Sequence, residues 1–379
     1  MSSSKFTAEQ KAGQRLMVGF EGTHLNSDLG FLIDTLKVGG IILFSRNIVD
    51  PDQVRDLCSA VQARAKACGQ PPLFIAIDQE GGKVARLKAP FTEFAGNPRM
   101  RGIDDAALFA GVTSRELASV GINMNMAPVL DVALPGRGGI MCERAFGDDP
   151  DWVTTLGMTV IQHLQAKGIM AVAKHFPGIG KTQLDSHQDL PLLDESLNLL
   201  EKEDFPPFEA AIENKVAGIM LSHICYRQLD EEWPASLSEK IAGELLRKRM
   251  GFQGVVMTDD LDMGAITRHF TGSQVVRRVL AAQIDIALGD PATNLAKATD
   301  WIAEAAQRGW NVGGSAQEWY NKGVTASILY WGGTQEEADA YLAQASVAYD
   351  AANWKMSIGT QKWIALYNQG IEAWAEWRR

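Results

Sequence analysis

The chain has 379 residues, 46% of them hydrophobic and 22% charged, and a formal net charge of -10. That composition belongs to a soluble globular protein with room for one large domain and an appendage. The acidic balance argues against nucleic acid and anionic membrane as main partners.

The chain opens on a polar segment, Met1-Ser2-Ser3-Ser4-Lys5-Phe6, with no apolar signal core. No apolar run reaches the roughly 18 residues of a spanning helix. A cytoplasmic location without membrane insertion is therefore expected. Short apolar runs then recur at Leu16–Phe20, Gly40–Phe44, Leu73–Ile77, Ile122–Met126, Ile169–Ala173, Ala217–Leu221, Gly254–Thr258 and Ile284–Leu288. Each has the length of a buried strand. Helical patterns lie between them, as at Pro51–Ala67, Asp151–Lys167 and Ser238–Met250. Strands alternating with helices imply a parallel sheet. Eight such units fit an α/β fold of the (β/α)8 TIM-type barrel, with a doubly wound open sheet as the runner-up. No Gly-x-Gly-x-x-Gly opens a helix after the first strand, so a dinucleotide-binding fold has little support.

In a (β/α)8 barrel the active site gathers where the strands end. The second run ends in Ser45-Arg46-Asn47 and the third in Asp78-Gln79-Glu80-Gly81-Gly82-Lys83-Val84-Ala85-Arg86. The fourth ends in Ala127-Pro128-Val129-Leu130-Asp131, the sixth in Ser222-His223, and the seventh in Thr258-Asp259-Asp260-Leu261-Asp262-Met263. Acids, bases and amides at so many strand ends are hard to explain by stability, because a buried charge is costly unless paired or used. The fifth run carries the densest chemistry, Lys174-His175-Phe176-Pro177-Gly178-Ile179-Gly180-Lys181-Thr182-Gln183-Leu184-Asp185-Ser186-His187. Lys174 and His175 can hydrogen-bond a polyhydroxyl ligand. A loop freed by Gly178 and Gly180 can carry His187 over it. Asp185 can hold one imidazole nitrogen and leave the other to move protons.

Structural roles compete with these readings. Asp259 can cap a helix at Leu261-Asp262-Met263, Arg144 can pair with Asp148 or Asp149, and Asp78 and Glu80 can cap the next element. His223 and His269 have no chemical neighbours in sequence and read as structural. Cys58, Cys68, Cys142 and Cys225 show neither close pairing nor metal spacing and read as reduced, packing thiols. No metal or cofactor constellation is visible, and Asp78 with Glu80 does not make a metal site.

Composition changes near residue 290: eight of the ten tryptophans lie beyond residue 300. Asn294–Arg308, Ala316–Trp331, Thr334–Gln344 and Ile358–Arg378 read as amphipathic helices punctuated by Gly313-Gly314 and Gly332-Gly333. The tryptophans suit either a sugar-stacking platform or a helix–helix core, and the core is favoured. Two domains result, 1–289 and 290–379.

Asp78-Gln79-Glu80-Gly81-Gly82, Glu143-Arg144-Ala145-Phe146, Lys174-His175-Phe176-Pro177-Gly178, Asp185-Ser186-His187 and Thr258-Asp259-Asp260-Leu261 together resemble family 3 glycoside hydrolases. The branch resembled is the bacterial β-N-acetylglucosaminidases of the NagZ type, over about residues 10–290. The resemblance implies a barrel that removes terminal β-linked N-acetylglucosamine (GlcNAc) from peptidoglycan recycling fragments, with no cofactor. It implies Asp259 as nucleophile and His187 as general acid/base partnered by Asp185. Asp78, Arg86, Arg144, Lys174 and His175 would hold the sugar, with Asp260 turned away in support. Ile179 stands where the branch often has His. Two other outcomes stay open: phosphorolysis at the same site, since a neutral imidazole repels phosphate less than a carboxylate, and an impaired glycan-binding chimera. The last arises because Trp301–Trp310, Ile358–Asn368 and Glu372–Arg379 resemble instead the SusD/RagB outer-membrane glycan-binding proteins.

Overall fold

A computed structural model describes residues 6–133, 139–289, 315–330, 333–354 and 357. Eight parallel strands close into a barrel: β1 (Leu16–Val18), β2 (Gly40–Leu43), β3 (Phe74–Ile77), β4 (Met124–Asn125), β5 (Met170–Phe176), β6 (Gly218–Leu221), β7 (Val255–Asp260) and β8 (Ile286–Gly289). They follow one another around the barrel in chain order. β1 closes it by pairing with both β2 and β8. Every apolar run read from the sequence supplies one strand, and the open-sheet alternative falls away.

A helix follows each of the first seven strands: α1 (Ser27–Asp34), α2 (Pro51–Ala67), α3 (Ile103–Ser119), α4 (Pro150–Gln165), α5 (Pro206–Glu213), α6 (Glu239–Arg249) and α7 (Gly272–Ala281). Their starts follow capping chemistry. Asp50 accepts the Gln53 N–H and Pro51 fills the first turn of α2; Asp149 and Pro150 do the same for α4. α2 buries Val54, Leu57, Cys58, Val61 and Ala65, a single stripe at helical spacing. α6 is wound as a π-helix, with the Met250 N–H reaching back to the Leu245 carbonyl. Burial pushes the Cys58 thiol up to about 12 and Cys225 up to about 11, so both behave as packing thiols.

Inward-facing Met17, Ile42, Ala76, Met124, Val172, Met220, Met257 and Ile286 fill the barrel, one from each strand, with Met126 and Leu288 beside them. Unbranched methionine suits so narrow a space because it adapts to irregular gaps.

Two strands break their own alternation at the end nearest the site. β5 and β6 pair Ala173 with Ile219 and then Phe176 with Leu221, three residues against two. β7 and β8 pair Met257 with Ile286 and then Asp260 with Leu288, again three against two. Each is a β-bulge, which re-aims the side chains around it.

The chain divides into two compact units, residues 14–34 with 38–290, which hold the barrel, and residues 1–13, 35–37 and 291–379. In the second unit α8 (Ala316–Tyr330) and α9 (Gln335–Leu342) pack together, and Thr334 closes a capping box with Glu337. Trp319 is 1% exposed, which makes it core rather than platform. Tyr320 donates to the Val347 carbonyl and its ring lies 5.3 Å from Tyr349. The helices expected at Asn294–Arg308 and Ile358–Arg378, and Trp301, Trp310, Trp331, Trp363, Trp374 and Trp377, lie outside the described residues. Among the described residues no helix is long and apolar enough to cross a membrane.

Candidate active site

The mouth of the barrel holds a buried ionic network. Val172 faces the interior, so Lys174, two residues on, does too. Its ammonium is 2% exposed and lies 2.9 Å from Asp78 Oδ1 and 2.6 Å from Glu80 Oε1. Arg86 Nη2 reaches Asp78 Oδ2 at 3.2 Å. Arg144 grips Glu80 with two nitrogens, at 2.7 and 3.0 Å. Burial works to raise both carboxyls, but the Lys174, Arg86 and Arg144 charges win, holding Asp78 and Glu80 below the usual carboxylate range. Burial works to lower Lys174, and the two carboxylates hold it up instead. Arg86 Nε is buried and has no hydrogen-bond partner among the described residues. A buried donor without a partner costs about 1–3 kcal/mol, which a ligand oxygen would remove.

The bulge in β5 turns His175 inward beside Lys174. Phe176 instead faces out, its ring 6.2 Å from Phe205 and 5.2 Å from Phe208. The Lys174–His175 peptide is cis. Fully buried Asp131 accepts the His175 N–H at 3.3 Å, His175 Nδ1 at 2.7 Å and the Ile179 N–H at 2.8 Å. The proton on His175 is thus fixed at Nδ1. Nε2 keeps its lone pair toward Arg144 Nη2, 3.4 Å away. Asn97 donates to the Arg144 carbonyl at 2.7 Å and fixes that segment over the mouth.

The bulge in β7 sets Asp259 and Asp260 to different tasks. Thr258 Oγ1 accepts the Leu288 N–H at 3.0 Å, taking over a ladder bond. Asp260 turns away: its carboxylate accepts the Asp262 N–H and its carbonyl accepts His223 Nε2. Asp259 Oδ1 accepts the Asp260 N–H at 2.8 Å, and no other hydrogen bond to that side chain is made among the described residues. Burial works to raise Asp259, and His223, His175, the Asp260 N–H and Lys174 together hold it below the usual range. His223 is fully buried, which pushes its pKa down. Nε2–H donates to Asp260, so Nδ1 accepts the Ser236 hydroxyl at 2.7 Å.

His187 and Asp185 lie on the loop after β5. Asp185 Oδ1 accepts both the His187 N–H and Nδ1, each at 2.9 Å. Nδ1 carries the proton, and among the described residues Nε2 has no hydrogen-bond partner, on a side chain 70% exposed. Partial burial works to raise Asp185, and the His187 N–H and ring outweigh it. Gly180 anchors the base of the loop, where a Cβ would stand 1.9 Å from the Val132 carbonyl oxygen. Lys181 bonds Asp204 at 2.5 Å, and burial pushes the Asp204 carboxyl up to about 6.

Asp78, Arg86, Arg144, Lys174 and His175 therefore meet in one network, and Asp185 pairs with His187. Arg144 does not pair with Asp148 or Asp149; its partner is buried Glu80. Nor does Glu80 cap an element: it sits in the short strand Gln79–Gly81, paired with Val84–Ala85, two residues from Asp78 and so on the same face. The sequence reading names Glu80 and Asp131 at strand ends without a part in the site, takes Glu80 as a possible cap and His223 as structural, and leaves out Asn97. Among the described residues no cluster of three or more His, Cys, Asp or Glu could hold a metal ion.

Fixed donors and acceptors around one carboxylate, with an imidazole–carboxylate pair on the adjoining loop, make a candidate acid–base site at the mouth of a (β/α)8 barrel. The family model described as the glycosyl hydrolase family 3 N-terminal domain matches residues 7–310. The chain belongs to that family. A second model, described as starch-binding associating with outer membrane, matches residues 292–379. A beta-hexosaminidase A of Pseudoalteromonas piscicida is 36% identical over 318 residues, 74% of this chain but 53% of that protein. This chain thus spans about half the length of that relative. A beta-hexosaminidase of Pseudomonas aeruginosa is 36% identical over 282 residues, 72% of this chain and 81% of its own length. Among solved structures, a family 3 β-N-acetylglucosaminidase of a Paenibacillus species superposes with a TM-score of 0.78 at 31% identity, covering 94% of this chain and 69% of that one. NagZ of Neisseria gonorrhoeae, solved with N-trifluoroacetyl-D-glucosamine, gives a TM-score of 0.66 at 26% identity, covering 93% and 98%.

Proposed function

We propose that the chain is a retaining exo-β-N-acetylglucosaminidase whose nucleophile is Asp259 and whose acid/base is His187. The observation that carries the reading is Asp259: an ionised carboxylate at a strand bulge, with one oxygen held by the Asp260 N–H and the other uncommitted. The uncommitted oxygen attacks the anomeric carbon and forms a glycosyl-enzyme. His187 Nε2 protonates the leaving oxygen, then takes a proton from the incoming water. Asp185 on Nδ1 fixes the tautomer and stabilises the imidazolium between the two steps. Asp78, Lys174, Arg86, Arg144 and His175 bind the hydroxyls of the terminal sugar. The unpartnered Arg86 Nε supports a ligand oxygen there.

The names of the relatives support hexosamine as the sugar. Muropeptide fragments carrying terminal GlcNAc, met in the cytoplasm, are the natural substrates we propose. The barrel closes within residues 16–289, so an impaired chimera has no support from a broken fold.

The test is hydrolysis of p-nitrophenyl β-N-acetylglucosaminide by the wild type, Asp259→Ala and His187→Ala, with the β-glucoside as control and with phosphate added or left out. Activity on the N-acetyl sugar that both substitutions abolish is expected. A folded wild type that turns over neither sugar sinks the reading. Turnover that requires phosphate replaces hydrolysis by phosphorolysis.

A further inference from the structure

The loop that carries His187 is seated on the turn that follows Asp259. The Gly264 N–H donates to the His187 carbonyl at 3.2 Å, and the Ala265 N–H donates to the Ser186 carbonyl at 3.0 Å. His269 Nε2 pairs with Asp189 two residues beyond His187. Within the loop the Gln188 and Asp189 N–H groups both bond the Asp185 carbonyl, which keeps residues 185–189 in one turn. On the other side, the Asp260 carbonyl accepts the Met263 N–H at 3.1 Å, tying the turn back to the residue beside Asp259.

Gly264 is the point of closest approach. A Cβ there would stand 2.6 Å from the His187 oxygen, 2.8 Å from the Gln188 oxygen and 3.0 Å from the Gln188 carbonyl carbon. Its φ is not in the left-handed region, so the turn itself does not demand glycine. All three obstructing atoms are backbone and cannot rotate away. What demands glycine is the loop pressed against it.

Taking the assignment of His187 above as given, we infer that Gly264 is a positioning residue. It is the seat that sets the separation between the acid/base loop and the nucleophile, with the His269–Asp189 pair as a second, weaker fastening. Any side chain at 264 lifts the loop and carries His187 away from the anomeric centre, while Asp259 and the sugar-holding network stay where they are. A displacement of about 1 Å lowers turnover by roughly a hundredfold. It leaves ground-state sugar binding alone.

The experiment compares Gly264→Ala, His187→Ala and wild type on 2,4-dinitrophenyl β-N-acetylglucosaminide, with and without sodium azide. This leaving group departs without a proton, so loss of His187 slows breakdown of the glycosyl-enzyme. Azide attacks the anomeric carbon as the bond to Asp259 breaks, releases the carboxylate and gives the β-glycosyl azide without any base. On this substrate Gly264→Ala should lower kcat and KM together, as the glycosyl-enzyme accumulates, keep kcat/KM near wild type, and regain turnover in azide with glycosyl azide as product. Hydrogen exchange across residues 183–190 should quicken while Tm stays near wild type. Wild-type kcat, or a slowed variant that azide does not rescue although it rescues His187→Ala, overturns the inference. If His187→Ala is itself neither slowed nor rescued, the acid/base assignment fails instead, and exchange across 183–190 judges the seat alone, with an unchanged rate overturning it. Should Gly264→Ala not fold, His269→Gln decides: a few-fold fall in kcat with faster loop exchange supports the seat, and no change in either overturns it.

Discussion

The two halves of the site are built in opposite ways. The half proposed to hold the sugar rises from β3 and β5 and is nearly dry, with Lys174 and Glu80 at 2% and 1% exposure. The half proposed to move protons hangs on a loop, with His187 70% and Asp185 39% exposed. The first is over-determined at its centre, because Lys174, Asp78 and Glu80 each have two charged partners. The second rests on local bonds and a seat. A rigid network holds a sugar ring at little cost in entropy on binding, whereas an acid/base that must serve two chemical steps gains from a loop that can lift. Substitutions in the network should therefore damage fold and activity together, and substitutions in the loop should damage activity alone.

The largest effect is expected at Asp259, which belongs to neither half. Asp259→Ala should lower kcat by roughly 10^4-fold, the scale of removing a covalent nucleophile, with little change in Tm. Glycosyl-enzyme trapping by mass spectrometry checks it. Lys174→Met comes next. Two buried carboxylates lose their shared cation, a loss of about 3–5 kcal/mol and on the order of 10 °C in Tm. Calorimetry showing an unchanged Tm would erase the contrast drawn here. His187→Ala should cost roughly 10^3-fold in kcat and leave the melting curve in place.

The smallest effect is in pH dependence. Asp204 has its folded pKa raised to about 6. A raised value means the folded state holds the proton more tightly, so this stability is full below the unfolded pKa near 4 and fades as pH rises through 6. Asp204→Asn should remove about 2 kcal/mol of that slope between pH 4 and 6, measured by urea unfolding. Asp78 and Glu80 act in the opposite sense and lower down: their stability is present above pH 4 and is lost as pH falls below it.

Much of this was legible in the sequence because it is local. Each strand lies in a short apolar run, and α2 and α4 each start on an Asp-Pro pair. The acids and bases at strand ends reached the mouth for the same reason. What was not legible is what depends on a neighbour far along the chain. Glu80 finds Arg144 across 64 residues, while Asp148, a helical turn from Arg144, only looked like its partner. Asp131 finds His175 across 44 residues. The two bulges leave no local trace, since a register shift belongs to a pair of strands. Gly264 reads as one more glycine until the His187 loop is laid against it.

Closure of the barrel also has a timetable. β1 pairs Leu16 with Ala287 of β8. During synthesis at about 5–20 residues per second, the free edge of β1 waits roughly a quarter-minute to a minute for its last neighbour. Through that interval the nascent chain presents an unpaired parallel edge and a half-lined, methionine-rich interior, the kind of surface that chaperones bind and other chains can capture. Slowed translation of the final barrel segment should therefore lower soluble yield more than the same slowing placed after residue 290.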